Sequence, residues 1–319
     1  MRYAAGVDVG GTNIECGILD AQGSILLKRK MPTRPDSGAE DILQRITATL
    51  ERLYAEAGVA AQDIAVIGLG IPGLVDPEVG MSLRAVNLNW IQVPVAAMLR
   101  ELTGKPVFID NDVRMYTYGE AVAGAGRGYE YIYGITIGTG LAAAYVQRGG
   151  IYRGHRFLAG EIGHIPVNPA GITCGCGRTG CLETIVSATG IARQARTRIV
   201  QGEHSLLRER FADVEDIRAS DVSRASREGD GLSRDVLERT GRELGRALSW
   251  VVPILAPDVI IIGGGGALAG EDLTGPMRQE MNARLLQDYA GRTAIRYAAL
   301  GDDAGVIGSG LWALSQLNK

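Results

Sequence analysis

The sequence predicts an α/β protein of two similar lobes, and three observations support this fold class. Buried strands alternate with amphipathic helices along the 319 residues, a pattern typical of α/β folds. A chain of this length exceeds the capacity of one ordinary hydrophobic core. One pattern also occurs twice, at residues 3–19 and 131–146: a strand, a glycine turn that contains a threonine, and a returning strand. We therefore interpret the chain as a duplicated α/β unit.

The first half of the chain has predicted strands and helices in alternation. Apolar runs indicate strands at 3–9, 14–19, 25–28, 64–71 and 106–109. The first helix is expected to begin at a capping box formed by Ser37 and Glu40, because apolar residues then recur at helical spacing as far as Gly58. Two further helices are expected at 93–102 and about 113–123.

The second half follows a glycine-rich segment at 124–128, where we place the boundary between the lobes. Strands are expected at 131–137, 141–146, 151–152, 259–262 and 294–298, and helices at 233–255, 277–286 and 305–317. Residues 187–222 are expected to be helical and irregular. Residues 1–123 should form a small N-terminal lobe and residues 124–300 a large one, with the closing helix, about 301–319, packing back on the first lobe.

Composition and charge exclude several classes of protein. Hydrophobic residues make up 46% of the chain and charged residues 22%, as in globular proteins. The net charge of −3 provides no basic excess to neutralise nucleic-acid phosphates, so we expect no nucleic-acid partner. No apolar run reaches the roughly 18 residues of a membrane helix, and no leader pattern opens the chain. We therefore expect a cytoplasmic protein without a membrane partner.

A cluster of cysteines with one histidine predicts a metal site. Three thiolates and one imidazole complete a tetrahedral set for zinc and leave no position for water, which indicates a structural site. Disulfides are the alternative, but three clustered cysteines leave one unpaired, and one-residue spacing strains a bridge. The predicted ligands are His164, Cys174, Cys176 and Cys181. Glu161 and Glu183 flank the cluster without being needed as ligands. We therefore expect the metal site to support a pocket for a polar ligand.

Three glycine-rich segments are candidate contacts for an anionic ligand. Glycine lets backbone N–H groups approach a phosphate, and a neighbouring hydroxyl adds a donor. The first segment contains Asp8, Gly10, Gly11, Thr12 and Asn13, the second contains Gly138, Thr139 and Gly140, and the third contains Gly264 and Gly265. Asp8 is suited to hold Mg²⁺, directly or through water. Taken singly, the first two segments are also compatible with ordinary hairpins and the third with a flexible turn.

Residues 109–112 end a buried strand and give the strongest catalytic indication. A hydroxyl nucleophile needs a carboxylate within hydrogen-bond reach to take its proton, and Asp112 is the candidate general base. Asn111 can donate to and accept from hydroxyl groups. The alternative is that Asp112 only caps the following helix. Gly73 follows another buried strand near the same region, and Asn87 is either a loop residue or a ligand contact.

These motifs together resemble the ROK family of repressors and sugar kinases, within the actin-like ATPase superfamily. The family signature Glu-x-Gly-His, followed by Cys-x-Cys-Gly-x-x-Gly-Cys-x-Glu, corresponds to residues 161–164 and 174–183. Further matches lie at 8–12, 111–112, 138–140, the glycine run after Ile262, and 301–308. The resemblance covers nearly the whole chain. It implies a duplicated actin-like (ribonuclease H-like) two-lobe fold with a structural zinc site.

The resemblance also implies a function and a role for each motif. The activity would be ATP-dependent phosphorylation of the 6-hydroxyl of a hexose, glucose or a close epimer, with Asp112 as general base and Mg²⁺ accompanying ATP. Nucleotide contacts would come from the three glycine-rich segments. Sugar contacts would come from Gly73, Asn87, Asn111, Asp112, Glu161, His164 and Glu183. His164 would bind zinc through one ring nitrogen and face a sugar hydroxyl with the other. Family members are often dimers or tetramers, so we expect a homo-oligomer.

Two departures from the family pattern concern the nucleotide and the sugar. Leu141, Ala142 and Ala143 follow Gly140 where the family has more glycine, and alanine resists positive φ, so this turn is expected to hold phosphate differently. Asp110 stands where a glutamate is common in glucokinases, a pattern associated with aminosugar kinases. The alternative substrate is therefore an N-acetylhexosamine such as N-acetylmannosamine or N-acetylglucosamine.

A non-enzymatic sugar-sensing regulator is a third interpretation, from another class of protein. Regulators of this family carry a DNA-binding extension before the first strand. Here the first strand is predicted to begin by Tyr3, and the charge does not suit DNA binding, so the sequence disfavours this interpretation.

Overall fold

A computed structural model describes residues 3–317, which form two compact units. Within that range, the first unit comprises 3–132, Ala144–Ala159 and 298–317, and the second comprises Tyr133–Ala143 and Gly160–Tyr297. The β-strands are β1 (Tyr3–Val9), β2 (Asn13–Leu19), β3 (Ile25–Pro32), β4 (Ile64–Ile71), β5 (Leu74–Asp76), β6 (Met81–Ala85), β7 (Trp90–Val93), β8 (Val107–Asn111), β9 (Tyr131–Ile137), β10 (Leu141–Gln147), β11 (Gly150–Tyr152), β12 (Val259–Gly263) and β13 (Ala294–Tyr297).

Helices fill most of the remaining chain. They are α1 (Gly38–Glu56), α2 (Val95–Thr103), α3 (Asp112–Ala123), α4 (Glu183–Val186), α5 (Ala188–Val200), α6 (Leu206–Arg210), α7 (Ala219–Arg227), α8 (Gly231–Leu255), α9 (Glu271–Arg284) and α10 (Ala304–Gln316). No helix within residues 3–317 combines the length and the apolar character that a bilayer crossing requires.

Two five-stranded sheets have the same strand order. The first is ordered β3-β2-β1-β4-β8 and the second β11-β10-β9-β12-β13. In each, the opening strand pairs with the next strand on one side, the third strand lies at the edge, and two later strands follow on the other side. The common order is the structural expression of the repeat in the sequence. A separate three-stranded sheet, β5-β6-β7, belongs to the first unit.

Strand register places the polar residues of the first unit at one edge of its sheet. β1, β4 and β8 are parallel, and Asp8 aligns with Gly70, which aligns in turn with Asp110. β1 and β2 are antiparallel, and their last pair is Val9 with Ile14. Because the carboxyl ends of parallel strands meet at the same edge, the glycine turn and the end of β8 are neighbours.

The first unit's sheet is covered on both faces. Ala5 and Val7 point into a core completed by apolar residues of α1 and α2. The alternate residue Ala4 packs with Val306 and Ala313 of α10 on the opposite face. α10 approaches the strands at backbone distance, because a Cβ built on Gly6 would lie only 2.0 Å from the carbonyl oxygen of Val306.

Some elements differ from their prediction for local reasons. β5, β6 and β7 were not predicted, because three to five residues carry too little periodicity to be recognised. The predicted capping box at Ser37 is wrong. Its hydroxyl donates 2.8 Å to the carbonyl of Arg34, and its side chain accepts no cap hydrogen bond. α9 begins at Glu271 rather than at 277, and it accommodates Pro276 within its opening turns.

The grouping of residues 144–159 also differs from the predicted boundary at 123/124. Contacts assign Ala144–Ala159 to the first unit, although this stretch follows the predicted boundary. The reason is a set of polar contacts. Arg153 pairs with Asp110, while Arg114 donates to the carbonyl of Phe157.

Gly308 tests the close packing of α10 against α3. A Cβ at this position would lie 1.8 Å from the carbonyl oxygen of Met115. Gly308→Ala should therefore lower the free energy of unfolding by about 3 kcal/mol or more, measured by urea denaturation. Gly231→Ala is the control, because a Cβ there meets no atom within 4 Å. Equal stability of the two variants would contradict this account of the packing.

Candidate functional site

Asp8 lies at the centre of a group of carboxylates in the first unit. Burial, followed by the negative charges of Asp112, Glu15 and Asp302, raises the pKa of Asp8 from 3.8 to about 7. Lys30 opposes this shift, and its Nζ lies 3.0 Å from Glu15 Oε1. Such a concentration of negative charge favours a cation, so the donor set fits a divalent metal held by Asp8.

The glycine turn after β1 is held by its neighbours. The Gly10 N–H donates 2.9 Å to the carbonyl of Asn13. Thr33 donates two further hydrogen bonds to the turn. Its hydroxyl donates to the carbonyl of Gly10 at 2.6 Å, and its N–H donates to the carbonyl of Thr12 at 2.9 Å. Thr12 and Asn13 are exposed. Gly11 lies against Asn87, whose Cβ would be 3.1 Å from a Cβ at position 11.

Asn111, rather than Asp112, caps α3. Its Oδ1 accepts the N–H groups of Val113 at 3.0 Å and Arg114 at 3.2 Å, as an N-cap residue does. Its Nδ2 donates 3.1 Å to the carbonyl of Gly73, which brings two predicted sugar contacts together. Asp112 is the half-buried first residue of α3 and accepts the Val113 N–H at 2.9 Å. The alternative that Asp112 only caps the helix is therefore wrong, because the N-cap is Asn111.

Asp110 is fully buried and bound on both oxygens. Oδ1 accepts the Asn111 N–H at 2.8 Å and lies 3.1 Å from Arg114 Nη1. Oδ2 accepts from Arg153 Nε at 2.7 Å. Since protein groups use both oxygens, the aspartate at this position has a structural role and does not itself face a ligand. The association of this residue with aminosugar kinases stays a prediction.

The two arginines connect the end of β8 to a distant segment. Arg114 is buried and donates to the carbonyls of Phe157 at 2.6 Å and Ala159 at 3.1 Å. The guanidinium of Arg153 lies 4.7 Å from the ring centre of Trp312, a cation–π contact. Sequence analysis missed both arginines. The spacing of Asp110 and Arg114 at i and i+4 was the available signal, whereas nothing in the sequence links Arg153 to Asp110.

The predicted metal ligands of the second unit do lie together. The donor atoms of His164, Cys174, Cys176 and Cys181 all lie within 4.8 Å of one another. Cys176 Sγ and Cys181 Sγ are 3.6 Å apart, and so are Cys174 Sγ and His164 Nδ1. Zinc–sulfur bonds of about 2.3 Å in a tetrahedron separate sulfur atoms by about 3.8 Å. The cluster is therefore compatible with a zinc site.

The two flanking glutamates approach opposite nitrogens of His164. Glu183 Oε1 lies 3.5 Å from Nδ1 and also accepts from Cys174 Sγ at 2.8 Å. Glu161 Oε2 lies 3.8 Å from Nε2, and its side chain is 63% exposed. Nδ1 is thus the nitrogen among the thiols, and Nε2 is the nitrogen beside the exposed carboxylate.

The second and third glycine segments are neighbours in the second unit. The Gly138 N–H donates 3.0 Å to the carbonyl of Gly140. Gly264 has φ +77°, and a Cβ there would lie 2.6 Å from the carbonyl oxygen of Ile137, directly before this turn. Thr139, Gly264 and Gly265 are exposed. The two segments therefore present adjacent backbone to solvent.

The alanines after Gly140 do not strain the turn. β10 begins at Leu141, so Ala142 and Ala143 are strand residues and do not adopt positive φ. Gly140 itself lies beside Glu183, whose Oε2 would be 3.0 Å from a Cβ there. The alanines therefore cause no backbone strain, and the expectation that this turn holds phosphate differently stays a prediction.

The matching strand orders and the paired glycine turns define an α/β protein of the actin-like ATPase class. A ROK family sequence profile matches residues 4–316, and the chain belongs to that family. The duplicated fold predicted from the sequence is confirmed.

Relatives with known names agree with this assignment. A glucokinase from Halalkalibacterium halodurans is 38% identical over 316 residues, covering 99% of this chain and 96% of that protein. The structure of a ROK family glucokinase from Streptomyces griseus, in complex with glucose and AMPPNP, has a TM-score of 0.85 at 31% identity. The match covers 98% of this chain and 99% of that chain. A ROK hexokinase structure from Thermus thermophilus has a TM-score of 0.81 at 30% identity, covering 99% of both chains.

Asp110→Ala tests the buried carboxylate. Removing it leaves the charges of Arg114 and Arg153 without their counter-ion, so the free energy of unfolding should fall by about 3–5 kcal/mol. Urea denaturation measures the loss. The exposed Asp63 is the control, and Asp63→Ala should change stability by less than about 0.5 kcal/mol. A similarly small effect for Asp110→Ala would show that the arginines do not depend on it.

Proposed function

We propose that this protein is an ATP-dependent kinase that phosphorylates the 6-hydroxyl of a hexose, glucose or a close epimer. The observation that carries the proposal is the position of Asp112 directly after β8 and beside Gly70, which aligns with Asp8 of β1: a Cβ on Gly70 would lie 3.2 Å from the Asp112 Cα. After burial, the negative charge of Asp112 also contributes to the raised pKa of Asp8. The 38% identity to a glucokinase over 99% of the chain supports the same reaction.

In the proposed reaction the hydroxyl oxygen of the sugar attacks the γ-phosphorus of ATP. A new oxygen–phosphorus bond forms, the bond to the bridging oxygen breaks, and ADP leaves. Asp112 takes the hydroxyl proton as the attack proceeds. Asn111 and Gly73, which are joined by a hydrogen bond, and Asn87 beside Gly11 are the proposed sugar contacts from the first unit.

The glycine segments are the proposed nucleotide contacts. Residues Gly10 to Asn13 in the first unit, and Gly138 to Gly140 in the second, would bind phosphates through backbone N–H groups. Gly264 and Gly265 would lie against the adenosine, because bare backbone admits a flat base. Asp8 would hold the Mg²⁺ that accompanies ATP, an ion that neutralises charge on the transferred group.

The proposed zinc site would brace the second unit's sugar contacts. His164, through Nδ1, and the three cysteines would be the ligands, leaving Nε2 and Glu161 directed to a sugar hydroxyl. Glu183, beside both Cys174 and Gly140, is the third proposed contact. Because the donor set is complete without water, the metal supplies structure rather than chemistry.

We do not extend the proposal to an N-acetylhexosamine or to a regulator. Relatives 38% and 34% identical to this chain are glucokinases, and Asp110, on which the aminosugar alternative rested, is bound by arginines. Asp8, Thr12 and Asp112 together provide the elements of phosphoryl transfer, which a sensor does not require. The homo-oligomer and the cytoplasmic location stay predictions, and thiolate ligands suit a reducing compartment.

Zinc binding is tested by metal analysis of the purified chain. We expect one zinc per chain, with Cys181→Ser losing it and melting at a lower temperature because the metal contributes folding energy. Cys16→Ala is the matched control, since Cys16 belongs to the core of the first unit and is not among the clustered donors. Zinc retained in full by Cys181→Ser would contradict the ligand assignment.

Sugar-dependent ADP release tests the reaction and the base together. With Mg-ATP, turnover is expected on glucose or an epimer, and Asp112→Asn should lower kcat by about 10²–10⁴-fold, because the base is lost. Asp63→Asn should leave kcat unchanged.

The panel of sugars decides the substrate class. Mannose, allose, fructose, N-acetylglucosamine and N-acetylmannosamine would be run beside glucose. Turnover confined to the N-acetylated sugars would overturn the proposed substrate, and near-normal turnover by Asp112→Asn would overturn the proposed base.

A further inference from the structure

The second unit contains a cavity of about 350 Å³ that no proposed sugar, nucleotide or zinc residue lines. Its walls come from the loop at 168–172, from α4 and α5, and from α8. A cavity of this size lies at the lower end of small-molecule sites in proteins.

The cavity is positively charged. The residues that line it include Arg193, Arg198 and Arg239, and none of them is acidic. Arg198 is neutralised outside the cavity by Glu203 at 2.6 Å and Asp235 at 3.4 Å. Two positive charges remain at one cavity without a matching carboxylate.

Arg193 and Arg239 are close enough to repel each other. Burial, followed by the charge of Arg239, lowers the pKa of Arg193 below its ordinary value. Arg193 is half-buried and donates to the carbonyl of Thr184, which fixes its guanidinium at the wall. Arg239 is exposed on α8, and its guanidinium makes no side-chain hydrogen bond or ion pair within residues 3–317. A dianion between the two guanidinium groups would remove this repulsion.

The remaining wall suits an organic group beside the charge. Ile172, Ile185 and Val236 provide apolar surface, while Asn168 and Gln201 add polar side chains. Arginine presents a planar fork of donors that matches the oxygens of phosphate. Phosphate also carries nearly two negative charges at neutral pH, which balances the two arginines.

We propose that this cavity binds a small anion that carries a phosphate group, with Arg193 and Arg239 on the phosphate oxygens. Thr184, whose carbonyl accepts from Arg193, directly follows Glu183 in α4. The cavity wall at Thr184 is therefore adjacent in the chain to Glu183, a proposed sugar contact. The inference itself rests on the cavity and its charges, and it stands whether or not the proposed reaction is correct.

Calorimetric titration of the full-length, zinc-loaded protein with inorganic phosphate tests the proposal. The buffer contains a saturating non-hydrolysable ATP analogue, which fills the proposed triphosphate contacts, so phosphate binding at the nucleotide segments does not contribute. We expect saturable binding that Arg239→Glu weakens by roughly tenfold or more, because a charge-assisted contact becomes a repulsion. Arg239→Lys should retain part of the affinity.

Arg242→Glu is the matched control. Arg242 is also exposed on α8, but it pairs with Glu238 and does not line the cavity. Equal melting temperatures of the two glutamate variants would show that both are folded. The proposal is overturned if the wild-type protein binds no phosphate at concentrations up to about 10 mM, which is well above the dissociation constant of a weak specific site. It is equally overturned if Arg239→Glu and Arg242→Glu bind phosphate alike.

Discussion

A buried carboxylate at the end of β8 holds the candidate site of the first unit in place. Asp110 has no exposed surface, and a charge in that environment is tolerated only when it is paired and hydrogen-bonded. Arg114 and Arg153 meet this requirement, and in doing so they attach the segment 153–159 to the strand end. Asn111 and Asp112 follow Asp110 directly, so their positions depend on this ion-pair network. Arg156 and Phe157 within the attached segment have positive φ, a strain that the two carbonyl contacts of Arg114 help to sustain.

The two units solve different electrostatic problems. In the first, burial, followed by the negative charges of Asp112, Glu15 and Asp302, raises the pKa of Asp8, so the group is easier to protonate and receptive to a cation. In the second, three thiols and an imidazole converge, and their geometry suits a soft divalent metal. The acidic groups in the first unit suit a hard cation such as Mg²⁺, and the sulfur donors in the second suit zinc.

Local patterns in the sequence predicted most of the fold, whereas contacts between distant residues were not predicted. β1, β4 and β9 have the predicted bounds, because each is a long apolar run that ends in glycine or a polar turn. The cluster of one histidine and three cysteines was predicted because a single local motif contains all four residues. The ion pair between Asp110 and Arg153 spans 43 positions, and no periodicity records it. Because this contact could not be predicted, the sequence analysis related Asp110 to the sugar substrate and missed its arginine partners.

The shared strand order also shows how one backbone can carry two kinds of chemistry. Counting back from the glycine turn, Asp8 on β1 corresponds to Thr136 on β9, so an acidic side chain on one sheet is matched by a neutral one on the other. Thr136 points its hydroxyl to the carbonyl of Ala142 within its own hairpin at 3.5 Å. One side chain at this position gives the first sheet a charge that the second lacks, although the strand orders are the same. Division of labour between the copies thus requires no change in the path of the chain.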